Sequence, residues 1–210
     1  MKAKMDVLQE SIKEKFSGFL YGAGVGFDPQ GLASLIPDDP TVGFMGGIDR
    51  AREPQWRTSS YQFNGALNKT NIEQAYDDVL LDMTVRGEKP DIILIGRDQH
   101  RLYSAAVRDK AVIPLSEANM GKQMMDLGFK GFSHCGIPII YDEDCPVAKA
   151  YFINSKYLRL SMLRHVNFKI KQLNAPWTMD ASGRRVIWQG QWCLWKAFRT
   201  HAVVNNGPTV

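Results

Sequence analysis

The run Ile92–Ile95 constrains the fold most strongly, because four consecutive large aliphatic residues are typical of a strand that is covered on both faces. Gly96 follows this run, and a second helix is expected after it. The apolar residues of that helix are Leu102, Tyr103, Ala105, Ala106 and Val107. Together with the segment before it, the strand predicts a helix–strand–helix unit over residues 70–103, at the centre of a compact α/β layer.

An amphipathic helix is predicted before this strand. Thr70 and Glu73 have the spacing of a capping box, which satisfies two backbone N–H groups at a helix start. Gly87 is expected to end the helix, because glycine adopts the left-handed cap conformation cheaply, and Pro90 follows where a helix can no longer continue. The apolar face of the helix consists of Ile72, Ala75, Tyr76, Val79, Leu80 and Met83.

Composition narrows the class of protein. The chain has 210 residues, of which 44% are hydrophobic, enough for one large globular domain or two small ones. Its net charge of +4 is well short of a dedicated nucleic-acid-binding protein. No apolar run approaches the ~20 residues that span a bilayer, and the charged N-terminus lacks the apolar region of a signal peptide. Three widely spaced cysteines, Cys135, Cys145 and Cys193, predict free thiols in a reducing compartment.

A helix is predicted over residues 3–19, with Met5, Leu8, Ile12, Phe16 and Phe19 on one side and charges on the other. It begins almost at residue 1 without a capping residue, which suggests that the helix once extended further upstream.

Glycine-rich and polar connections follow this helix. Gly22, Gly24 and Gly26 resemble a dinucleotide fingerprint only superficially, because that motif needs a strand before it, and a turn is the favoured interpretation. Residues 56–61 are interpreted as a surface strand and loop. The segment 112–126 carries three methionines and is either an adaptable partner-binding loop or ordinary core packing.

Residues 165–205 predict a long antiparallel hairpin. Val166, Phe168 and Ile170 alternate with polar residues, as in a strand with one buried face. On the return strand, Val186, Trp188, Trp192 and Leu194 share one face. A two-stranded ribbon is marginal alone, so it needs another element to pack against. Two further strands are predicted around residues 137–140 and 150–153.

Few residues are candidates for a catalytic or metal-binding site. Ser133, His134 and Cys135 are adjacent, but neighbours on a strand point to opposite faces, so a strand entry is the favoured interpretation. A small α/β hydrolase-like enzyme using Ser133, His134 and Cys145 remains the alternative. His134, Cys135, Cys145 and the acids Asp142, Glu143 and Asp144 could in principle meet around a metal. Their spacing matches no zinc or calcium signature, so a solvated turn is favoured.

The remaining polar groups have ordinary interpretations. His100, His165 and His201 are expected to be surface or core histidines, and Asp77 and Asp78 to lie on the solvated face of a helix. A nucleic-acid-binding module is a third class, which the modest charge disfavours. The basic residues lack interleaved aromatic stacking positions; they are Lys2, Lys4, Lys13, Lys15, Arg184 and Arg185.

The order of these elements resembles the major capsid proteins of tailed bacteriophages, whose shell fold is named for phage Hong Kong 97. An amphipathic helix ending at Gly87 is followed by KPDIILIGRDQHRLY and then by GFSHCGIPIIYDEDCPVAKAYFINSKYLRL. The segment TVGFMGGIDR, with Trp56 and Arg57 behind it, is also similar to one branch of the family. The resemblance covers roughly residues 15–205. The matching positions are Pro90, Asp91, Gly136, Ile137, Pro138, Phe152, Asn154 and Leu158.

The resemblance implies an α+β fold in four parts. Residues 1–20 are the end of a long spine helix, and residues 21–69 are a glycine-rich connection. Residues 70–160 form the core of an axial domain around the five- and six-fold axes, with residues 111–126 near the capsomer axis. Residues 161–210 form the β-ribbon of a peripheral domain that packs along the spine. The N-terminal arm and extended loop of the family have no counterpart here, so the chain is interpreted as a C-terminal portion of a capsid protein, made for expression or encoded by a truncated prophage gene.

The resemblance also implies a function. The chain is expected to be a structural subunit that forms pentamers or hexamers of a virion shell, and not an enzyme. Expected partners are copies of itself, other capsid or scaffold proteins, and packaged DNA non-specifically, with no membrane. Expected locations are the virion capsid and the host cytoplasm during assembly. No catalytic, cofactor-binding, metal-binding or cross-linking residues are carried over from the family.

Overall fold

A computed structural model describes residues 2–24, 26, 28–110, 132–166, 169–174, 182–196 and 198–207. The helices in this part of the chain are α1 (Lys2–Tyr21), α2 (Leu32–Leu35), α3 (Ile72–Met83) and α4 (Arg97–Lys110). The strands are β1 (Phe44–Met45), β2 (Ile48–Asp49), β3 (Ser59–Gln62), β4 (Ile92–Ile95), β5 (Ser133–His134), β6 (Ile137–Tyr141), β7 (Lys149–Ile153), β8 (Leu158–Met162), β9 (Lys169–Asn174), β10 (Ser182–Ile187), β11 (Gly190–Leu194) and β12 (Ala202–Asn205). The Met-bearing segment 112–126 lies outside the described residues.

A mixed six-stranded sheet organises the fold, with the order β3-β12-β7-β4-β6-β5. Strand β4 is parallel to β6 and antiparallel to β7, so the run Ile92–Ile95 has a strand on each side, as predicted. Strand β3 is at one edge and pairs in parallel with β12, which agrees with the surface strand expected there.

Hydrophobic layers cover both faces of this sheet. Along β7, Ala150 and Phe152 contact the layer beneath α3 and α4, whereas Tyr151 and Ile153 contact the opposite layer. This alternation follows from the two-residue period of a strand. The second layer contains residues from the end of α1, from α2 and from the C-terminal part of the chain; they include Tyr21, Leu32, Leu35, Ile36, Leu194 and Phe198.

Gly96 joins β4 to α4 and lies very close to the backbone of Pro146. A Cβ atom here would collide with the backbone oxygen of Pro146. The Gly96 N–H donates to the carbonyl oxygen of Lys149 at 2.9 Å. Only glycine fits this approach without displacing the neighbouring backbone.

Gln99 connects α4 to the sheet and to α3. Its side chain is fully buried, and its Nε2 donates to the carbonyl oxygens of Ala148 at 2.7 Å and Val204 at 3.0 Å. The hydroxyl of Tyr76 donates to Gln99 Oε1 at 2.5 Å. The amide therefore has a partner for both donor hydrogens and for its oxygen, which is how a buried polar group avoids a desolvation penalty.

Helix α3 begins later than the capping-box prediction requires. The residue preceding its first turn is Asn71, not Thr70. The side chain of Asn68 forms a turn just before the helix, where its Oδ1 accepts the N–H groups of Thr70 at 2.9 Å and Asn71 at 3.2 Å. The side chain of Asn71 makes no capping hydrogen bond to the first turn.

The same helix ends at Met83, four residues before Gly87. Thr84 closes it, with Oγ1 donating to the carbonyl oxygen of Leu80 at 2.8 Å. Gly87 instead lies in a tight turn with Arg86, where φ is 81° and 53° respectively. The prediction that Gly87 caps the helix is therefore wrong, although its positive φ is what the residue was expected to supply.

The long ribbon consists of two paired sections. Strand β8 pairs with β11, and β9 pairs with β10, all antiparallel. The hairpin is thus confirmed, but it starts at Leu158 and its return strand ends at Leu194. Residues 202–205, predicted to continue the ribbon within 161–210, form β12 inside the central sheet. Three consecutive fully buried residues of β12, Ala202 to Val204, explain this position.

Helix α1 contacts the ribbon through Phe16. The Phe16 ring meets Trp188 edge-on, with 5.1 Å between the ring centroids, and lies 6.4 Å from Trp192. On the outer side of the helix, Lys13 and Lys15 are exposed. The predicted apolar side is thus confirmed at Phe16; the side chains of Met5 and Leu8 are outside the described ones.

Candidate functional site

The three residues of the hydrolase alternative do not form one site. Ser133 is exposed, while its neighbour His134 is buried among the aromatic rings of Tyr76 and Tyr103. Cys145 belongs to the hydrophobic layer that contains Tyr151, on the other face of the sheet from Tyr76. The sheet therefore separates the thiol from the imidazole, and no nucleophile–base pair forms between them.

Cys145 is also chemically unsuited to nucleophilic attack. It is buried, and its thiol donates to the carbonyl oxygen of Lys149 at 3.7 Å. Burial raises the pKa of Cys145 to about 12, because the charged thiolate is disfavoured away from water. A thiol that stays protonated at neutral pH is a poor nucleophile.

A different group of side chains does converge: Asp77, His134 and Cys135. One potential ligand atom from each lies within 4.8 Å of the other two. Asp77 projects from α3, His134 ends β5, and Cys135 begins the two-residue turn that leads into β6. Nε2 of His134 is 3.0 Å from Oδ1 of Asp77, and Sγ of Cys135 is 3.3 Å from the same oxygen.

The surroundings of this cluster differ on its two sides. His134 is 7% exposed, and its Nδ1 lies 3.1 Å from the hydroxyl of Tyr103. Asp77 is half exposed, and Cys135 is exposed. The Cys135 thiol donates to Asp77, and this hydrogen bond raises the pKa of Cys135. The cluster is therefore poorly suited to covalent catalysis by the thiol, but it has the donor types of a metal site.

No local pattern in the sequence indicates this cluster. Asp77 and Cys135 are 58 residues apart, and Asp77 was expected to be solvated on the polar face of its helix. The pairing of β5 with β6 places the Cys135 turn beside that helix. Only tertiary packing brings the three side chains together.

The acidic turn holds α1 onto the sheet. The hydroxyl of Tyr21, the last residue of α1, donates to Oδ2 of Asp142 at 2.7 Å. The other carboxylate oxygen of Asp142 accepts the backbone N–H of Asp144 at 3.1 Å. Burial, followed by the hydrogen bond to Asp142, raises the pKa of Tyr21. These contacts give the turn a structural role.

The glycine segment after α1 is a turn, as favoured. Gly24 and Gly26 both have positive φ, and the Gly31 N–H donates to the carbonyl oxygen of Gly22 at 3.0 Å. A helix precedes the segment, whereas a dinucleotide fingerprint follows a strand. Beside the turn, Gln191 of the ribbon donates to Gln30 at 2.8 Å.

The predicted histidines have structural positions. His201 is fully buried, and its Nδ1 accepts the backbone N–H of Asn154 at 3.3 Å. His100 packs against the rings of Phe132 and Tyr141, and His165 is exposed.

Several large apolar side chains remain exposed and offer surface for association. On β6, Ile137 and Ile139 are buried, whereas Ile140 is 44% exposed and Tyr141 is 47% exposed. Within the described residues, β5 pairs with Ile137 and Pro138, and the Ile139 N–H donates to the carbonyl oxygen of Phe132 at 2.7 Å. No described strand pairs with Ile140 and Tyr141 on this side of β6. Other exposed apolar residues are Val42, Phe44, Leu81, Val147, Met162, Leu163 and Trp195.

None of the described helices has the length and hydropathy needed to cross a lipid bilayer. No protein-family model matches the chain, and no curated protein matches it in sequence.

Solved structures do match the fold. The chain is similar to a protein of the cyanophage A-1(L) capsid asymmetric unit, with a TM-score of 0.64 and 18% sequence identity; the match covers 99% of this chain and 69% of that one. It is also similar to the holo-SrpI encapsulin complex from Synechococcus elongatus PCC 7942, with a TM-score of 0.56 and 12% identity, over 99% of this chain and 65% of that one. The predicted capsid-type shell fold, α+β with a central sheet and flanking helices, is confirmed.

Proposed function

We propose that the chain is a structural subunit of a viral capsid, and that it self-associates into the pentamers or hexamers of a tailed-phage head. The observation that carries this proposal is the shell fold itself, which matches a capsid protein over 99% of the chain. The higher TM-score with that capsid than with the encapsulin favours a virion shell over an encapsulin-type shell.

Within this proposal, the parts of the chain have separate roles. Residues 70–160, together with β12, are assigned to the axial domain, because they build the central sheet and the layer beneath α3 and α4. Helix α1 and the ribbon are assigned to the peripheral domain, and the contact of Phe16 with Trp188 supports their pairing. The glycine-rich residues 21–69 connect the two parts and also add β3 to the edge of the central sheet.

Self-association requires two different surfaces on each copy, because a ring of five or six subunits is held by head-to-tail interfaces. The end of β6, where no described strand pairs with Ile140 and Tyr141 on the β5 side, is proposed as one of them. Ile140 and Tyr141 are both nearly half exposed there. A large exposed apolar side chain on a sheet edge is an ordinary starting point for an interface core.

The partners and the location that we propose for the chain follow from its proposed role as a capsid subunit. Other capsid or scaffold proteins are expected partners, in the virion and in the host cytoplasm during assembly. DNA would be contacted only through non-specific charge, because a net charge of +4 over 210 residues is modest.

The experiment is a comparison of assembly between two lysine variants. Ile140→Lys places a charge on the proposed interface, and Gln62→Lys places the same charge on the exposed opposite edge of the sheet, in β3. Analytical ultracentrifugation should give large species for the wild type and Gln62→Lys, and a shift towards monomer for Ile140→Lys. Identical behaviour of all three proteins would remove β6 from the interface.

A further inference from the structure

The imidazole of His134 contains a buried nitrogen without a hydrogen bond. The side chain is 7% exposed, and its Nε2 has no hydrogen-bond partner among the described residues. Asp77 Oδ1 is 3.0 Å away, but the ring nitrogen and this oxygen do not have hydrogen-bond geometry. A buried nitrogen that is near a carboxylate but not bonded to it calls for another partner.

The distances in the cluster fit a single small cation. A tetrahedral Zn²⁺ ion has bonds of roughly 2.0–2.3 Å to nitrogen, oxygen and sulfur, so its donor atoms are about 3.3–3.6 Å apart. In the cluster, Asp77 Oδ1 is 3.0 Å from His134 Nε2 and 3.3 Å from Cys135 Sγ, and all three donors lie within 4.8 Å. The two separations that involve Asp77 are thus within a few tenths of an ångström of this range.

The environment of the imidazole suits a metal ligand. With Nε2 as the ligand, Nδ1 carries the proton and donates to the Tyr103 hydroxyl, 3.1 Å away. That hydroxyl in turn is 3.4 Å from the carbonyl oxygen of Ser133, which can accept its proton. A ligating histidine whose other nitrogen is held by a hydrogen bond is the usual arrangement around protein-bound metals.

The backbone conformation at Cys135, which positions the thiol, is energetically unfavourable for a cysteine. Cys135 has φ of 48°, a left-handed conformation that is uncommon for residues other than glycine, asparagine and aspartate. The following Gly136 has φ of 80°, so the pair forms the two-residue turn between β5 and β6. Asparagine or glycine would occupy the first position of such a turn more readily than cysteine does.

From these observations we propose that Asp77, His134 and Cys135 bind one Zn²⁺ ion, with water as the fourth ligand. A thiolate, an imidazole and a carboxylate together suit zinc, whereas calcium and magnesium prefer oxygen ligands alone. Binding releases the thiol proton to solvent. The proposal does not depend on the chain being a shell subunit.

The consequence is a cross-link between α3 and the edge hairpin β5–β6. Two of the three proposed ligands, Asp77 and Cys135, line a surface recess of about 440 Å³, and His134 lies behind them. Leu80, Thr84 and Lys89 also line this recess. Metal binding would therefore stabilise the hairpin at the β5 edge of the sheet against the helix beside it.

The test is metal binding by the full chain, after removal of metals with a chelator. Zn²⁺ is titrated by calorimetry, and Co²⁺ is used as a spectroscopic substitute, because a thiolate bound to Co²⁺ gives a near-ultraviolet charge-transfer band. The variants are Cys135→Ser and Asp77→Asn. The matched controls are Cys193→Ser, a thiol on the ribbon, and Asp78→Asn, the adjacent exposed acid on α3.

The proposal predicts one Zn²⁺ per chain and a charge-transfer band that is lost in Cys135→Ser. The affinity should fall roughly 100-fold in Cys135→Ser and roughly 10-fold or more in Asp77→Asn, and stay unchanged in both controls. Because Cys135 is on an exposed turn, Cys135→Ser is expected to fold, and circular dichroism checks this. Folded wild-type protein that binds no Zn²⁺, or that binds it equally well as Cys135→Ser, overturns the proposal.

Discussion

The ring of Phe16 in α1 lies nearly perpendicular to the indole of Trp188, at an interplanar angle of 86° and a centroid distance of 5.1 Å. This contact joins the N-terminal helix to a ribbon that could not be stable by itself. It also supports the proposed assignment of α1 and the ribbon to the same part of the molecule.

Replacing Phe16 by alanine should therefore loosen the ribbon. We expect a loss of about 1–3 kcal/mol of unfolding free energy, because an aromatic side chain and its edge-on contact are removed from a half-buried position. Phe44→Ala is the matched control: Phe44 is 67% exposed, so the change should be within about 0.5 kcal/mol. Urea denaturation followed by tryptophan fluorescence measures both. Equal effects of the two substitutions would mean that the contact with Trp188 contributes little.

The buried amide of Gln99 supports a second prediction. Gln99→Leu keeps the volume but leaves the carbonyl oxygens of Ala148 and Val204 and the hydroxyl of Tyr76 without this partner. The carbonyl oxygen of Ala148 keeps the N–H of Asn206 at 3.0 Å, so the cost comes mainly from the other two groups. The unfolding free energy should fall by about 2 kcal/mol or more, since each buried group that loses its hydrogen bond costs about 1–3 kcal/mol. Gln74→Leu, on the exposed side of α3, should change it little. Chemical denaturation of the two variants measures both free energies of unfolding. A Gln99→Leu protein that is as stable as Gln74→Leu would contradict a stabilising role for the hydrogen bonds of Gln99.

His201 supports a prediction about pH. Burial lowers the pKa of His201 to about 4, below the value of about 6.5 in an unfolded chain. The unfolded state therefore binds a proton first as the pH falls. The stability contributed by neutral His201 is complete above pH 6.5 and is lost as the pH falls towards 4, by about 2 kcal/mol at pH 5.

The variant His201→Asn keeps a hydrogen-bond acceptor near the N–H of Asn154 but does not titrate. Its loss of unfolding free energy between pH 8 and pH 5 should be about 2 kcal/mol smaller than that of the wild type. The exposed His165 provides the control, and His165→Asn should retain the wild-type pH dependence. Urea denaturation at the two pH values measures the difference. An unchanged pH dependence in His201→Asn would show that His201 is protonated equally in both states.

Much of the central layer could be predicted from local pattern. The aliphatic run of β4 predicts a buried strand, and the spacing of Tyr76, Val79 and Met83 predicts an amphipathic helix. Each pattern is compatible with one type of element, because burial on a strand or a helix follows a fixed period. Helices α1, α3 and α4 and strand β4 consequently appear where the sequence places them, with ends that shift by a few residues. The start of α3 at Ile72, after Asn71, could not be separated from a start at Thr70 by spacing alone.

The position of β12 could not be predicted from neighbouring residues. Ala202 pairs with Ser59 on one side and with Phe152 on the other, and both partners are far away in the chain. A short apolar segment behind a tryptophan-rich strand is equally compatible with a longer ribbon. Tertiary pairing decides between these outcomes, as it also does for the meeting of Asp77 with His134 and Cys135.

The central claim is that copies of this chain build a shell, and mass measured by light scattering over a concentration series tests it most directly. The expected result is a mass of five or six chains or more, rising with concentration, with rings or closed shells visible by electron microscopy. A protein that remains folded and strictly monomeric at every concentration would contradict self-assembly as the function of this chain.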